Sequence, residues 1–309
     1  MSALERRLQE YLALRRAMGF KLVGEGRLLA QFVAYLDGLG VEMVTTEAAL
    51  AWATQLRDAD PYWWAKRLSA VRVFARWLAT VDECTEVPPV DLLLTPRVRR
   101  REPCLYSATE ILALMQAAGR LRSPLRAATF QTLIGLMACT GLRTGEAMAL
   151  DRPDVDLREG VLIVHRSKFG KSRQVPLHPT ATAALARYTR RRDRLCPRPV
   201  VPSFLLSGAG TPLNHHNVST TFARLLEEAG ITAPPGRPRP RAYDLRHSFA
   251  VSTLAGWYAE GVDVAARLPA LSTYLGHVKP ATTYYYLHAA RELMGKAADR
   301  LERYWKETP

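Results

Sequence analysis

The 309-residue chain has no run of 18 or more apolar residues, so nothing in it reads as a membrane-spanning helix. Its first residues, MSALERRLQEYLALRR, carry charge where a secretory leader needs an apolar stretch. A cytoplasmic protein without a membrane partner is expected. Cysteine is scarce: Cys84, Cys104, Cys139 and Cys196 make no CxxC pair and have no histidines nearby at zinc-ligand spacing. This argues against a disulfide framework and a structural metal, leaving reduced, buried or partly buried thiols. No internal repeat or extended low-complexity segment stands out.

Negative charge is also in short supply. Lys and Arg number 43 against 29 Asp and Glu, a formal net charge of +14. Most of the excess is arginine, whose planar, permanently charged fork suits bidentate contact with phosphate oxygens. A nucleic acid is therefore the leading partner, and an acidic membrane surface is the rival. The apolar content of 48% is ordinary, and the length allows a substantial core and two domains.

Apolar residues at helical spacing mark the first hundred residues. Leu4, Leu8, Tyr11 and Leu12 share one face, Leu29, Phe32, Val33 and Leu36 another, and Leu68, Val71, Ala75 and Leu78 a third. A small helical bundle over residues 1–94 follows, with breaks at Gly38, Gly40 and the Asp58 to Pro61 stretch. Residues 95–103 are a proline-bounded linker in which Arg97, Arg99, Arg100 and Arg101 cannot enter a core without a large desolvation cost. Their expected role is DNA contact, as a strap over the backbone.

A second domain, residues 104–288, opens at Ser107-Ala-Thr-Glu110, a capping-box spacing ahead of the apolar run Ile111, Leu112, Leu114 and Met115. Two β-prone runs, residues 160–166 and 173–177, flank Ser167-Lys-Phe-Gly-Lys-Ser172 and read as a hairpin with a basic tip. Lys171 and Arg173 there are candidate DNA contacts. The basic stretches Arg190 to Arg194 and Gly236 to Arg241 read as surface loops. Residues 289–309 carry Leu293, Ala297, Leu301 and Trp305 at i, i+4 spacing, a final amphipathic helix. The fold class expected is mainly α with a small antiparallel sheet in the second domain.

Three motifs carry chemistry: TGLRTGE at 140–146, YDLRHSF at 243–249 and LGHVKPATTYYYLH at 275–288. Glu146 stands three residues after Arg143, so on a helix it faces the same way and can hold that guanidinium. Tyr284, Tyr285 and Tyr286 are adjacent, and their side chains diverge, so only one can face a given group.

Taken in order, these motifs resemble those of the tyrosine recombinases, also called phage integrases. The resemblance covers most of the chain and is motif-specific from about residue 107. It implies a two-domain, C-shaped clamp around double-stranded DNA, and a tyrosine nucleophile that forms a 3′-phosphotyrosyl link and releases a 5′-hydroxyl. Phosphoester energy is conserved in that link, so no ATP, metal or other cofactor is implied. Arg143 and Arg246 match the two family arginines that stabilise charge on the non-bridging oxygens. His277 matches the histidine of the third motif, and the tyrosine nine residues later, Tyr286, matches the nucleophile. Lys168 at the hairpin tip matches the lysine that protonates the departing 5′-oxygen, with Lys171 as competitor.

One position departs from the pattern. The family has His-x-x-Arg in the second motif, whereas this chain has Tyr243-Asp-Leu-Arg246. A phenol, with a reference pKa of about 10, can donate a hydrogen bond but is a poor base. How Tyr286 loses its proton is thus open; His277 is a partial substitute, and His247 is expected to be structural. The resemblance further implies a homotetramer on two DNA sites, or assembly with related recombinases, with the C-terminal helix docking on a neighbour or on its own domain. Integration or transposition of a mobile element is favoured by the long stretch between Arg246 and His277, including Gly256-Trp-Tyr258. A type IB topoisomerase and a DNA-binding accessory protein without activity are the alternatives.

Overall fold

The computed structural model describes residues 2–93, 104–165, 172–233, 237, 239–277, 279, 281–287 and 295. The arginines of 95–103, Lys168, Lys171, His288 and the apolar stripe of the final helix lie outside these residues. The chain divides into two compact units, Met1–Arg101 and Glu102–Pro309.

In the first unit α1 (Ala3–Ala17), α2 (Val23–Gly38), α3 (Thr46–Thr54) and α4 (Pro61–Leu78) enclose one core. The three apolar stripes are the buried faces of α1, α2 and α4. Side-chain oxygens of Ser2, Thr45 and Asp60 accept from orphan N–H groups at the starts of α1, α3 and α4, each cap contributing about 1 kcal/mol. Helix α3 is short and has no full-length stripe to announce it; Trp52 anchors it on Phe32 with ring centroids 5.2 Å apart. After α4 the chain is tied back by Arg72, which donates to the carbonyls of Pro88 and Pro89 at 2.8 and 2.7 Å.

The second unit is built around α6 (Pro124–Thr140), which is buried on most of its circumference. Helices α5 (Ala108–Gly119), α8 (Pro179–Leu195) and α10 (Asp244–Ala259) pack on it. Both halves of the Ser107–Glu110 capping box are present at the start of α5. Next to α6 stands the one-turn α7 (Thr144–Met148), and a three-stranded antiparallel sheet follows in the order β1 (Val155–Asp156), β2 (Val161–Val164), β3 (Arg173–Pro176). Leu162 is paired with both Val155 and Val175, and its side chain is fully buried. Helix α9 (His215–Glu228) packs on α5, while α11 (Val264–Leu275) and a helical segment at 281–287, α12, join α10 in a smaller cluster. The fold class is the expected one, mainly helical with a small antiparallel sheet.

Three details differ from expectation. Arg190 to Arg194 is the last part of α8 and not a loop, because the period that buries Leu185, Tyr188 and Thr189 continues to Arg192. That buried guanidinium donates to the carbonyls of Phe204 at 2.9 Å and Ser203 at 2.7 Å, which offsets its desolvation. Strand β1 was not apparent, since two residues are too few for a period. All four cysteines are free thiols, yet Cys84 and Cys139 are exposed, and only Cys104 and Cys196 are partly buried. No described helix is long and apolar enough to cross a membrane.

Candidate active site

The end of α6, the start of α10 and the end of α11 meet, and two glycines allow it. Gly141 ends α6 in the left-handed region, φ 62°, where a Cβ would stand 2.5 Å from Phe249. Gly276 ends α11 in the same way, φ 67°, where a Cβ would stand 2.7 Å from a guanidinium nitrogen of Arg173. Each glycine offers its bare carbonyl to an arginine from another motif. Arg246 Nη1 donates to Gly141 O at 2.7 Å and Arg143 Nη2 donates to Gly276 O at 2.9 Å. A second bond of 2.7 Å joins Arg246 Nη2 to Leu275 O.

Arg246 is 0% exposed, and among the described residues no carboxylate forms an ion pair with it. Burial first, then the charge of Arg143, lowers its pKa below the ordinary arginine value. Arg143 occupies the N-cap position of α7, with its backbone N–H 3.1 Å from Glu146 Oε2 and its guanidinium paired with Oε1. Glu146 is buried and holds two cations. Arg173 Nη1 and Nη2 reach its oxygens at 3.1 and 2.8 Å, while Arg173 Nε donates to Tyr274 O at 2.8 Å. Burial alone would raise the Glu146 pKa, but Arg173 and then Arg143 reverse that and hold it at about 2. Arg173, expected as a DNA contact, has each of its guanidinium nitrogens bonded within the protein. It pins the first residue of β3 beside Glu146.

Tyr286 is 2% exposed, whereas its neighbour Tyr284 is 56% exposed. The phenol pKa is pushed up to about 12, by burial first, with Arg246 pulling the other way. Its ring lies parallel to that of His277, centroids 6.1 Å apart. His277 follows Gly276 directly; its Nδ1 is 2.7 Å from Thr283 Oγ1 on α12, and burial followed by Arg246 and Arg143 lowers its pKa to about 4. His247, one residue beyond Arg246 on α10, does more than pack. Its Nδ1 lies 2.9 Å from the Tyr286 hydroxyl. Tyr243 sits at the N-cap position of α10, 37% exposed, its ring edge-on to His247 with centroids 5.0 Å apart.

Arg143, Glu146, Arg246, His247, His277 and Tyr286 are therefore gathered in one place, with Tyr243 at its margin. The surplus of fixed donors over acids around one phenol suits an oxyanion with several oxygens. Local sequence gives no sign of Thr283 as a member, or of Arg173 as a partner of Glu146, because each reaches the site from a separate element. Gly141 and Gly276 stood inside the motifs, and a glycine directly after a helical run was a sign of a left-handed cap.

The family model described as phage integrase family matches residues 106–292, a span that contains all three motifs. The chain belongs to this family. The integrase/recombinase y4rB of Sinorhizobium fredii is 42% identical over 313 residues, covering 99% of this chain and 99% of its own. Tyrosine recombinase XerD of Caulobacter vibrioides is 32% identical over 240 residues, 76% of this chain and 73% of its own. In fold, the integrase-family chain is similar to the Tn1549 transposon integrase in complex with transposon right end DNA, with a TM-score of 0.63. That likeness covers 96% of this chain and 100% of the other at 19% identity. The enzyme class follows from the family: a tyrosine-type site-specific recombinase, which breaks and rejoins DNA strands.

Proposed function

We propose that this recombinase acts on double-stranded DNA through a 3′-phosphotyrosyl intermediate, with Tyr286 as the nucleophile, in the integration or transposition of a mobile element. One observation carries the reading: of the three consecutive tyrosines, it is Tyr286 whose phenol is buried against Arg246, His247 and His277. Attack of the phenolic oxygen on phosphorus puts extra charge on the non-bridging oxygens. Arg143 and Arg246 are held by carbonyls and Glu146 before any substrate arrives, so they need no reorganisation to meet that charge. With Thr283 at Nδ1, the neutral His277 ring keeps Nε2 for a phosphate oxygen. Lys168, with Lys171 as competitor, protonates the leaving 5′-oxygen, a task supported by the anchoring of the hairpin base through Arg173.

The arginines of 95–103 take part in backbone contact, in keeping with the net charge of +14. Integration is supported by the name of the relative at 42% identity, an integrase/recombinase. A homotetramer on two DNA sites is the assembly that suits paired cleavage and exchange.

The test is covalent trapping on nicked duplexes drawn from the DNA that flanks the gene, in which the cleaved strand escapes. Wild type should form a protein–DNA adduct, and Tyr286→Phe should bind the same DNA and form none. An adduct that persists in Tyr286→Phe moves the nucleophile to Tyr284 or Tyr285; none from wild type overturns the mechanism.

A further inference from the structure

We infer that His247 is the base that takes the proton of Tyr286 as the phosphotyrosyl bond forms, the task left without an owner by the tyrosine at position 243. The inference rests on Tyr286 being the nucleophile. Its basis is placement: His247 Nδ1 is 2.9 Å from the Tyr286 hydroxyl, the distance of a direct proton transfer, with ring centroids 5.4 Å apart. Of the ring nitrogens nearby, that of His277 facing α12 is taken up by Thr283, and the His277 ring lies parallel to the phenol.

The far side of the imidazole is also arranged. Asp244, three residues earlier on α10, places Oδ1 4.0 Å from His247 Nε2. That oxygen is buried and accepts no hydrogen bond among the described residues; Arg241 Nη2 is paired with it at 3.6 Å. A carboxylate there favours the tautomer with its proton on Nε2, which leaves a lone pair on Nδ1 for the phenolic proton. Edge contact with the Tyr243 ring restrains the imidazole further. His247 must be neutral to accept, and it is: burial first, opposed by Asp244 and aided by Arg246 and Arg241, lowers its pKa to about 4.

In the step itself the Tyr286 O–H bond breaks and its electron pair forms the bond to phosphorus. The proton passes to Nδ1 of His247. The bond from phosphorus to the 5′-oxygen breaks, and that oxygen takes a proton from the general acid, Lys168 or its competitor Lys171. An imidazolium forms between the Asp244 carboxylate and the phosphate. Burial first, and then repulsion by Arg246 and Arg241, makes the free histidine a weak base, and with DNA seated the phosphate's charge offsets that repulsion. Rejoining runs the same transfers backwards, and His247 returns the proton to Tyr286.

The experiment is single-turnover adduct formation by the full chain on the nicked duplex, with DNA affinity and thermal melting measured in parallel. His247→Gln should bind DNA within about twofold of wild type and form adduct about 100-fold more slowly, the lower end for loss of a general base. Its rate should then climb about tenfold per pH unit between pH 7 and 9, as hydroxide replaces the lost base, where wild type stays level. The groups facing the imidazole are Asp244, Arg241, Arg246 and Tyr243 from its own helix and the turn before it, Tyr286 from α12 and His277 from the turn after α11. Adding Tyr243→His to His247→Gln should restore at least about tenfold of the rate, because it returns an imidazole to the family position.

Adduct formation within about threefold of wild type, or a slow rate with the level wild-type pH profile, overturns the assignment. Should the Gln variant melt early, His247→Asn carries the same measurements. No adduct from wild type, or one that survives Tyr286→Phe, refutes the nucleophile, and the base assignment falls with it; a slow His247→Gln with a Tyr286-dependent wild-type adduct bears on the base alone.

Discussion

Glu146→Gln is the perturbation with the clearest arithmetic. The carboxylate is buried between Arg173 and Arg143, with bonds of 3.1 and 2.8 Å to the first and a backbone bond of 3.1 Å from the second. Lowering its pKa from 4.5 to about 2 corresponds to about 3 kcal/mol, at about 1.4 kcal/mol for each pH unit. Removing one partner of a buried pair costs 3–5 kcal/mol in general, so about 3 kcal/mol is consistent from either direction. In a unit the size of Glu102–Pro309, each kcal/mol moves the melting point by about 2–4 °C, so the variant's second-unit transition should fall by about 6–12 °C at pH 7. A carboxylate whose folded pKa is depressed contributes fully above its unfolded value and loses that contribution as pH falls toward the folded one. The gap between wild type and variant should therefore hold from pH 7 to about 4.5 and close toward pH 2. Differential scanning calorimetry across that range is the assay. A drop below about 2 °C at pH 7, or a gap that does not change with acid, refutes the claim that Glu146 holds the two arginines.

Gly276→Ala should cost about 1–2 kcal/mol from its φ of 67° alone, and more because the methyl would stand 2.7 Å from Arg173. Slower adduct formation should accompany the loss, since Arg143 bonds the Gly276 carbonyl, and a wild-type rate and melting point would count against this reading. Acid should destabilise the DNA-free protein through His247 and His277. Both have folded pKa values of about 4, below the ordinary 6.5, so the unfolded chain binds more protons and stability falls as pH drops from about 6.5 toward 4. Melting temperatures that stay level over that window in wild type, or fall equally in His247→Gln, would contradict the buried neutral histidines.

Much of the fold was legible because its helices are amphipathic. Leu8, Phe32 and Leu68 stand on their stripes in the sequence and sit in the core of the first unit. Where periodicity was short or disguised, legibility failed. The two residues of β1 and the nine of α3 are too few to establish a period, and Arg192 broke the pattern of α8 by being charged and yet buried. Motif order named Arg143, Arg246, His277 and Tyr286, since phosphate chemistry restricts residue type at those positions and leaves a written record. Motif order was silent on what each side chain touches. His247, expected to be structural, lies 2.9 Å from the Tyr286 hydroxyl, and Arg173, read from the sequence only as a DNA contact, holds Glu146.

The sequence by itself determined the family, the helical period and the residue types available for chemistry, because these are properties of local spacing. Tertiary structure decided the partners. Which carbonyl receives each arginine, which of three adjacent tyrosines is buried, and which histidine meets its hydroxyl depend on how α6, α10, α11 and α12 approach one another. Those approaches are set by glycines at helix ends and by side chains more than a hundred residues apart, and no spacing along the chain records them.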